Sequence, residues 1–182
     1  MTSEEVIERV KSQYGDNILK AEVTLGDAVI HVTPDSLHDT AKFLKEDPEL
    51  NFDYLCHITG VDYLEQERDP RFESVYEFHS IDKNHSIRLR VGLPDENPTV
   101  QTVSDLWPSA VFSEREMFDM FGFHIEGHPN LKRLLMPEEW EGHPLRKDYD
   151  LTHEDVAFSH NINFRRELVK EKILTRHKPV QD

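Results

Sequence analysis

The sequence contains a single cysteine, Cys56, among 182 residues. One thiol can form no disulfide within the chain, and it falls short of the roughly four thiolates that usually hold an iron–sulfur cluster. Glycine is also sparse, with seven residues and no G-x-G-x-x-G or G-x-x-x-x-G-K pattern. Because phosphate-binding loops depend on such patterns, we expect neither a cluster nor a nucleotide site in this chain.

Long apolar runs are missing as well. The longest run is only a few residues, whereas a membrane-spanning helix needs roughly 20. The first residues, MTSEEVIERVKS, lack the basic and apolar regions of a secretory signal. We therefore expect a soluble, cytoplasmic protein without direct membrane insertion, which partners could nevertheless hold at a membrane.

The net charge of −15 is unevenly distributed along the chain. Residues 1–129 hold 11 Lys/Arg and 26 Asp/Glu, whereas residues 130–182 hold 10 of each. An acidic body disfavours nucleic acid and anionic lipid as partners, since both are polyanions. The neutral, mixed-charge remainder is typical of a segment that lies on another protein.

The N-terminal half predicts helices and strands that alternate. Thr2 and Glu5 form a capping box for a helix to about Tyr14, which Gly15 ends. Two strands then form a hairpin around Gly26-Asp27, and a helix begins at Pro34. The predicted strands, including three that follow this helix, are Ile18–Thr24, Ala28–Thr33, Tyr54–Tyr63, Ser74–Ile81 and Ile87–Leu93.

These elements predict an α+β fold, in which a mixed or antiparallel sheet of about five strands packs against helices. Val100–Trp107 is predicted as a short helix, and a capping box at Ser113 is predicted to start another that ends near Gly122. We expect an α+β domain over 1–123 and an extended, partner-binding C-terminal arm over 124–182. Within the arm, Phe164–Leu174 is predicted to be helical.

Three sets of residues could in principle carry chemistry. His124 and His128 lie four apart, but Gly127 and Pro129 would break the helix that a zincin site requires, so surface or packing histidines are favoured over a metal site.

Cys56 and His57 are neighbours on a strand and so point to opposite faces, which excludes a nucleophilic pair and favours Cys56 as a small core residue. The acidic loop containing Glu65, Glu67 and Asp69 could bind a cation, although a solvated turn is favoured.

The run from Ser113 to Tyr149 combines charges with many apolar side chains. On the predicted helix, Arg115, Glu116 and Asp119 share one face, and Met and Phe residues cover the others. Such a helix must be buried on more than one side. It either packs on the chain's own sheet or belongs to an intersubunit surface, where aromatic, Met and Arg residues are enriched.

Three motifs in this run resemble a known family. They are E-R-E-x-x-D-x-F-G from Glu114, G-H-P-x-L-K-R-L-L from Gly127, and P-x-x-W-x-G-x-P-L-R-K-D-Y from Pro137. With the stretch His57–Tyr63, they make the chain similar, over roughly residues 50 to 150, to the 30 kDa subunit family of NADH:quinone oxidoreductase, respiratory complex I.

The resemblance implies a non-catalytic member of the hydrophilic arm, peripheral on the cytoplasmic side of the cell membrane. There it would dock on the large subunit that forms the quinone cavity, called the quinone-cavity subunit below, beside neighbouring Fe-S subunits. Electrons pass in such complexes from NADH through FMN and Fe-S clusters to quinone, all bound by other subunits. As its partner interface, the resemblance implies Glu114, Arg115, Glu116, Asp119, His128, Lys132, Arg133, Trp140, Arg146, Lys147 and Asp148.

The sequence leaves other interpretations of the function open. The same family serves membrane-bound hydrogenases and reduced-deazaflavin dehydrogenases, and nothing in the chain contacts the electron donor. A stand-alone histidine–metal hydrolase and a transient assembly factor are the competing classes. As a hypothesis, Arg115, Lys132, Arg133, Arg146 and Lys147 form ion pairs with the partner.

Overall fold

A helix opens the chain where its capping residues predict one. The computed structural model describes residues 1–66 and 68–150. Helix α1 spans Ser3–Tyr14, and both hydrogen bonds of the capping box between Thr2 and Glu5 are present. Gly15 follows as the C-cap, so both predicted ends are confirmed. The predicted helix at Phe164–Leu174 and Glu67 of the acidic loop lie outside the described residues.

A five-stranded mixed sheet forms the centre of the fold, as the strand pattern predicts. In chain order its strands and the intervening helix are β1 Ile18–Thr24, β2 Asp27–Val32, α2 Leu37–Glu46, β3 Tyr54–Asp62, β4 Phe72–Ser80 and β5 His85–Leu93. The spatial order is β1-β2-β5-β4-β3. Within this sheet β2 and β5 pair in parallel, and the other three pairings are antiparallel.

One face of this sheet carries the hydrophobic core. Alternate strand residues such as Tyr76, Phe78 and Leu89 are fully buried there, in one cluster with apolar side chains of α1 and α2. The opposite face carries cross-strand ion pairs, in which Arg88 and Arg90 of β5 contact glutamates of β4. The predicted alternation of apolar and basic residues along β5 is therefore confirmed.

The segment after the sheet differs from its prediction at two points. Val100 lies in strand β6, Thr99–Gln101, and Trp107 follows a turn, so the helix predicted over Val100–Trp107 is wrong. Helix α3 spans Ala110–Phe121 and begins before Ser113, which is therefore not its cap. Its predicted end at Gly122 is confirmed, with a φ of 74°.

A second, two-stranded sheet explains the first of these differences. Strand β7, His124–Glu126, pairs in parallel with β6. Residues 99–101 pair with a strand about 25 residues further along the chain. A local sequence pattern cannot predict such a pairing. Residues Met1–Tyr149, β7 included, form one compact unit.

Cys56 is not the core residue that the sequence predicts. It is exposed, and the pairing register of β3 with β4 shifts between Leu55 and His57. A bulge at this point breaks the strict alternation of side chains, so Cys56 and His57 are both exposed. Partial desolvation of the thiol and the nearby Glu77 carboxylate raise the pKa of Cys56.

Candidate partner-binding surface

A buried carboxylate at the end of α3 holds the loop that contains the second motif. Oδ2 of Asp119 accepts hydrogen bonds from the backbone N–H groups of Leu134, Leu135 and Met136, at 2.9, 2.7 and 2.9 Å. Its Oδ1 lies 2.7 Å from Nη1 of Arg133. Burial alone raises the pKa of Asp119, but these donors together hold it below its usual range. We call Asp119 and residues 133–136 the Asp119 clasp.

The arginines of the motifs donate to backbone carbonyls within the chain. Arg133 donates through Nη2 to the carbonyl oxygens of Trp140 and Gly142, at 2.8 and 3.1 Å. Arg115 donates to the carbonyl oxygens of Lys132 and Arg133, at 3.0 and 2.8 Å. Both guanidinium groups therefore fix the course of the loop rather than pointing free into solvent.

The third motif is fixed to the C-terminal end of α3 in the same way. Arg146 donates from Nε to the carbonyl oxygen of Phe121 at 2.5 Å, and its guanidinium lies 5.0 Å from the centre of the Phe72 ring. The backbone N–H of Leu145 donates to the Met120 carbonyl at 3.0 Å. His143 completes the contact with a 2.9 Å hydrogen bond to the Asp119 carbonyl.

A second buried carboxylate, at the end of β3, holds the last residues of the motif. Asp62 accepts a hydrogen bond from the backbone N–H of Lys147 at 2.8 Å, and Arg71 donates two more at 2.9 and 2.8 Å. Arg71 also forms ion pairs with Asp95 and Asp148, at 2.9 and 3.0 Å. Burial opposes ionisation, yet these donors lower the pKa of Asp62 to about 2.

Glu114 and His128 are buried on the inner side of α3. Glu114 accepts hydrogen bonds from the Thr102 hydroxyl at 2.5 Å and from the Val103 N–H at 2.7 Å. Burial raises the pKa of Glu114 despite these donors. His128 lies 3.9 Å from this carboxylate, and both side chains are fully buried. Both residues therefore connect α3 to neighbouring loops.

The ring nitrogens of His128 are both engaged within the chain. Nε2 lies 3.1 Å from the Val111 carbonyl, to which it must donate, and Nδ1 accepts from the N–H of Asn130 at 3.1 Å. These roles fit the neutral imidazole. His124, the other histidine of the metal hypothesis, is exposed on β7, and across residues 1–66 and 68–150 no three His, Cys, Asp or Glu side chains are grouped to hold a metal ion.

The loop presents apolar side chains and charged side chains of both signs to solvent, and Glu138, Glu139 and Glu141 are exposed among them. Phe112, Leu135 and Leu145 are 61, 62 and 50 % exposed, and Lys132 and Lys147 are exposed beside them in the chain. We call these five residues the α3 surface. Glu116 and Trp140 are half-buried, and Asp148 is exposed but paired with Arg71.

Sequence reasoning missed several residues that build this surface. Asp62 lies in the stretch that resembles the family, yet only the folded chain brings it to Lys147, 85 positions later. Phe112 had a usable signal, because it is a large apolar residue one turn before the charged face of α3. No signal in the sequence pointed to Arg71.

Comparison with known proteins agrees with the resemblance of the motifs. The family model "Respiratory-chain NADH dehydrogenase, 30 Kd subunit" matches residues 30–155. The corresponding NADH-quinone oxidoreductase subunit from Roseiflexus castenholzii is 48 % identical over 156 residues, which cover 86 % of this chain and 88 % of the relative.

Two solved structures are similar in fold. A trypsin-resistant fragment of Nqo5 superimposes with a TM-score of 0.63 and 33 % identity, covering 72 % of this chain and all of the fragment. A chain of the membrane-bound sulfane sulfur reductase, an archaeal respiratory membrane complex, gives a TM-score of 0.70 over 98 % of this chain and 96 % of its own length. At 23 % identity, the second similarity shows the fold alone.

Proposed function

The chain belongs to the respiratory-chain NADH dehydrogenase 30 Kd subunit family, and we propose that within the complex it is a non-catalytic docking protein which binds the quinone-cavity subunit through the α3 surface. As a member of this family it is part of NADH-quinone oxidoreductase, a multisubunit respiratory complex. The proposal concerns the finer assignment, namely which neighbour it binds and with which residues.

The observation that carries the proposal is the Asp119 clasp. A fully buried carboxylate accepts three consecutive backbone N–H groups and so fixes the loop whose Leu135 side chain is 62 % exposed. Large apolar side chains held rigidly in solvent are typical of protein interfaces, because ordering them on binding then costs little entropy. Leu135 and Leu145 both lie at the C-terminal end of α3, since their N–H groups bond to Asp119 and Met120.

The charged residues of the motifs take two different roles in this proposal. Arg115, Arg133 and Arg146 act indirectly, because their guanidinium groups already bond to carbonyls of this chain. Glu114, Asp119 and His128 are buried and act as internal positioning residues. Lys132 and Lys147 have exposed side chains, so we assign to them the contacts with carboxylates of the partner. Glu116, Trp140 and Asp148 are assigned to the rim.

The redox chemistry belongs to other subunits in this proposal. FMN, the Fe-S clusters and quinone bind elsewhere in the complex, and this chain fixes the quinone-cavity subunit relative to neighbouring Fe-S subunits so that electrons can tunnel to quinone. The complex would hold the chain at the cytoplasmic side of the cell membrane. Among the described residues, no helix is long and apolar enough to span a bilayer.

Substitution of Leu135 tests the proposal in the assembled complex. Leu135→Asp places a charge in the centre of the proposed interface, where a buried anchor is worth about 2 kcal/mol or more. We therefore expect the quinone-cavity subunit to be largely lost when the complex is purified through a tag on this chain. Ile81→Asp is the matched control, because Ile81 is 65 % exposed in the turn between β4 and β5.

Quantitative mass spectrometry of the co-purified subunits gives the result. Circular dichroism of each isolated variant shows that the domain still folds. Full retention of the quinone-cavity subunit with Leu135→Asp, or equal loss with both variants, would contradict docking through the α3 surface.

A further inference from the structure

The outer edge of β1 is bare in the part of the chain that the structure describes. β1 is the first strand of the sheet and pairs with β2 alone. Alternate residues of an edge strand direct their N–H and C=O groups away from the sheet, where a further strand can bond to them. Leu19 and Val23 on this strand are 69 and 40 % exposed, and the register with β2 shifts at Leu19, so the regular part of the edge is residues 20–24. The edge therefore offers both backbone groups and apolar contact area.

The turn that ends β1 carries a second, independent anomaly. Leu25 and Gly26 have φ angles of 53° and 95°, which are the left-handed values of a two-residue hairpin turn. Such positions favour Gly, Asn and Asp, and a branched apolar side chain is sterically disfavoured there. Yet Leu25 occupies the first of them with its side chain wholly in solvent, at 102 % exposure. Among residues 1–66 and 68–150 this leucine has no packing contact that offsets its strain, which points to a use outside them.

We propose that the outer edge of β1 binds an extended strand of a neighbouring protein in the complex, with Leu25 as an apolar anchor at its end. Addition of a strand to a sheet edge is a common mode of recognition, in which backbone hydrogen bonds supply affinity and alternate side chains supply specificity. The partner strand would pair with residues 20–24 and place apolar, β-branched residues against Val23, and its end would contact Leu19 at the register shift.

The charged residues of β1 indicate that the strand of the partner is uncharged. Lys20 and Glu22 lie on the same strand and pair with each other at 2.8 Å. Because their charges are already neutralised, a cation or an anion opposite them would gain little and would lose its hydration. A strand rich in Val, Ile and Thr fits the edge best.

The size of the edge argues against a second copy of this chain as the occupant. A seven-residue strand offers a strip about 24 Å long and about 5 Å wide. This is a small part of the roughly 800 Å² per partner that stable complexes bury. A strand of a neighbour already held close by another contact needs no such area, because its pairing is then effectively intramolecular. In this respect the inference rests on the proposed docking through the α3 surface.

Hydrogen exchange of the β1 amides tests the inference in the assembled complex. In a hairpin closed by a two-residue turn, Thr24 and Asp27 form the closing pair, so the N–H groups of Ala21 and Val23 face outward by alternation. We expect these two amides to exchange at least about tenfold more slowly in the complex than in the isolated chain. The amide of Glu22, which faces β2, should be protected in both.

A variant pair identifies the edge as the cause of this protection. Leu19→Lys should restore fast exchange of Ala21 and Val23 in the complex, whereas Ile81→Lys, at a residue of similar exposure, should leave the protection intact. If the chain is retained in the complex but these amides exchange as fast as in the isolated chain, the edge inference fails while the docking proposal stands.

Two further outcomes are also decisive. Protection in the isolated chain that increases with protein concentration would show pairing of two copies and overturn the inference. Absence of the chain from the purified complex would overturn the docking proposal and, with it, the inference.

Discussion

Arg71 and Asp62 face each other as a two-bonded pair at the end of β3, with Nε and Nη2 of the arginine 2.9 and 2.8 Å from the two carboxylate oxygens. The Asp62 side chain is fully buried, and the Arg71 side chain is 11 % exposed. The backbone N–H of Lys147 bonds to the same carboxylate. This pair therefore ties the central sheet to the end of the motif-bearing segment.

Loss of the Asp62 carboxylate should destabilise the domain in a pH-dependent way. Its pKa is about 2 in the folded protein, against an ordinary 3.8, so its ionised form contributes about 2 kcal/mol of stability above pH 4. This contribution disappears as the pH falls through the folded pKa. Asp62→Asn should thus lower the free energy of unfolding by about 2 kcal/mol at pH 7, with a smaller difference from wild type at pH 3.

Urea unfolding at the two pH values measures this difference. Asp95→Asn is the control, since Asp95 also pairs with Arg71 but is 56 % exposed, and we expect it to change stability by less than about 0.5 kcal/mol. An Asp62→Asn difference that is independent of pH would contradict the assignment.

The attachment of residues 133–136 to α3 should depend on the carboxylate of Asp119. Asp119→Ala removes the acceptor of three backbone N–H groups, and buried groups left without partners cost about 1–3 kcal/mol each. We expect the loop to leave α3, so that trypsin cleaves after Lys132 or Arg133 at least about tenfold faster. Glu116→Ala, one turn earlier on the half-buried face of α3, should leave the cleavage rate near that of wild type.

Two glycines should respond to alanine in opposite ways. Gly122 has a φ of 74°, and an added Cβ would lie 2.5 Å from Nε2 of His143 and 2.7 Å from Nη2 of Arg146. Gly122→Ala should therefore destabilise the domain by about 1–3 kcal/mol. Gly15 has a right-handed backbone with a φ of −51° and no atom within 4 Å of an added Cβ.

Gly15→Ala should accordingly be neutral or stabilise the domain by up to about 1 kcal/mol, because alanine restricts the unfolded chain. Thermal unfolding of both variants compares the two effects. An equal loss of stability in both variants would show that the close approach of His143 and Arg146 to Gly122 does not set the cost of an added Cβ.

The sequence predicted the features of the fold that depend on residues close together in the chain. The capping box at Thr2 and Glu5 and the stop at Gly122 are each fixed within a few positions, and both are confirmed. The hairpin is confirmed too, but its turn residues are Leu25 and Gly26 rather than Gly26 and Asp27. The alternation of apolar and basic residues along β5 likewise predicts which of its side chains are buried. The three motifs predicted the family, which the comparisons confirm.

The rest depends on contacts between distant residues. Val100 pairs with Ile125, and this partner makes a strand of a segment whose local pattern predicts a helix. The bulge at Cys56 is a property of the pairing with β4. The roles of Arg115 and Arg133 follow from carbonyls that only the folded loop brings to them. The sequence gives the positions of these arginines but not the acceptors that their N–H groups bind. The boundary near residue 124 and the interface residues stay predictions.

The parallel pairing of β2 with β5 also bears on how the chain is made. Val32 pairs with Val91, so the N-terminal hairpin leaves the ribosome well before the strand that anchors it to the sheet. Closing so long a loop is entropically costly, and an isolated two-stranded hairpin is at best marginally stable in water. The nascent chain must therefore remain without its sheet until about residue 93 has been synthesised, which makes chaperone binding most valuable during that interval.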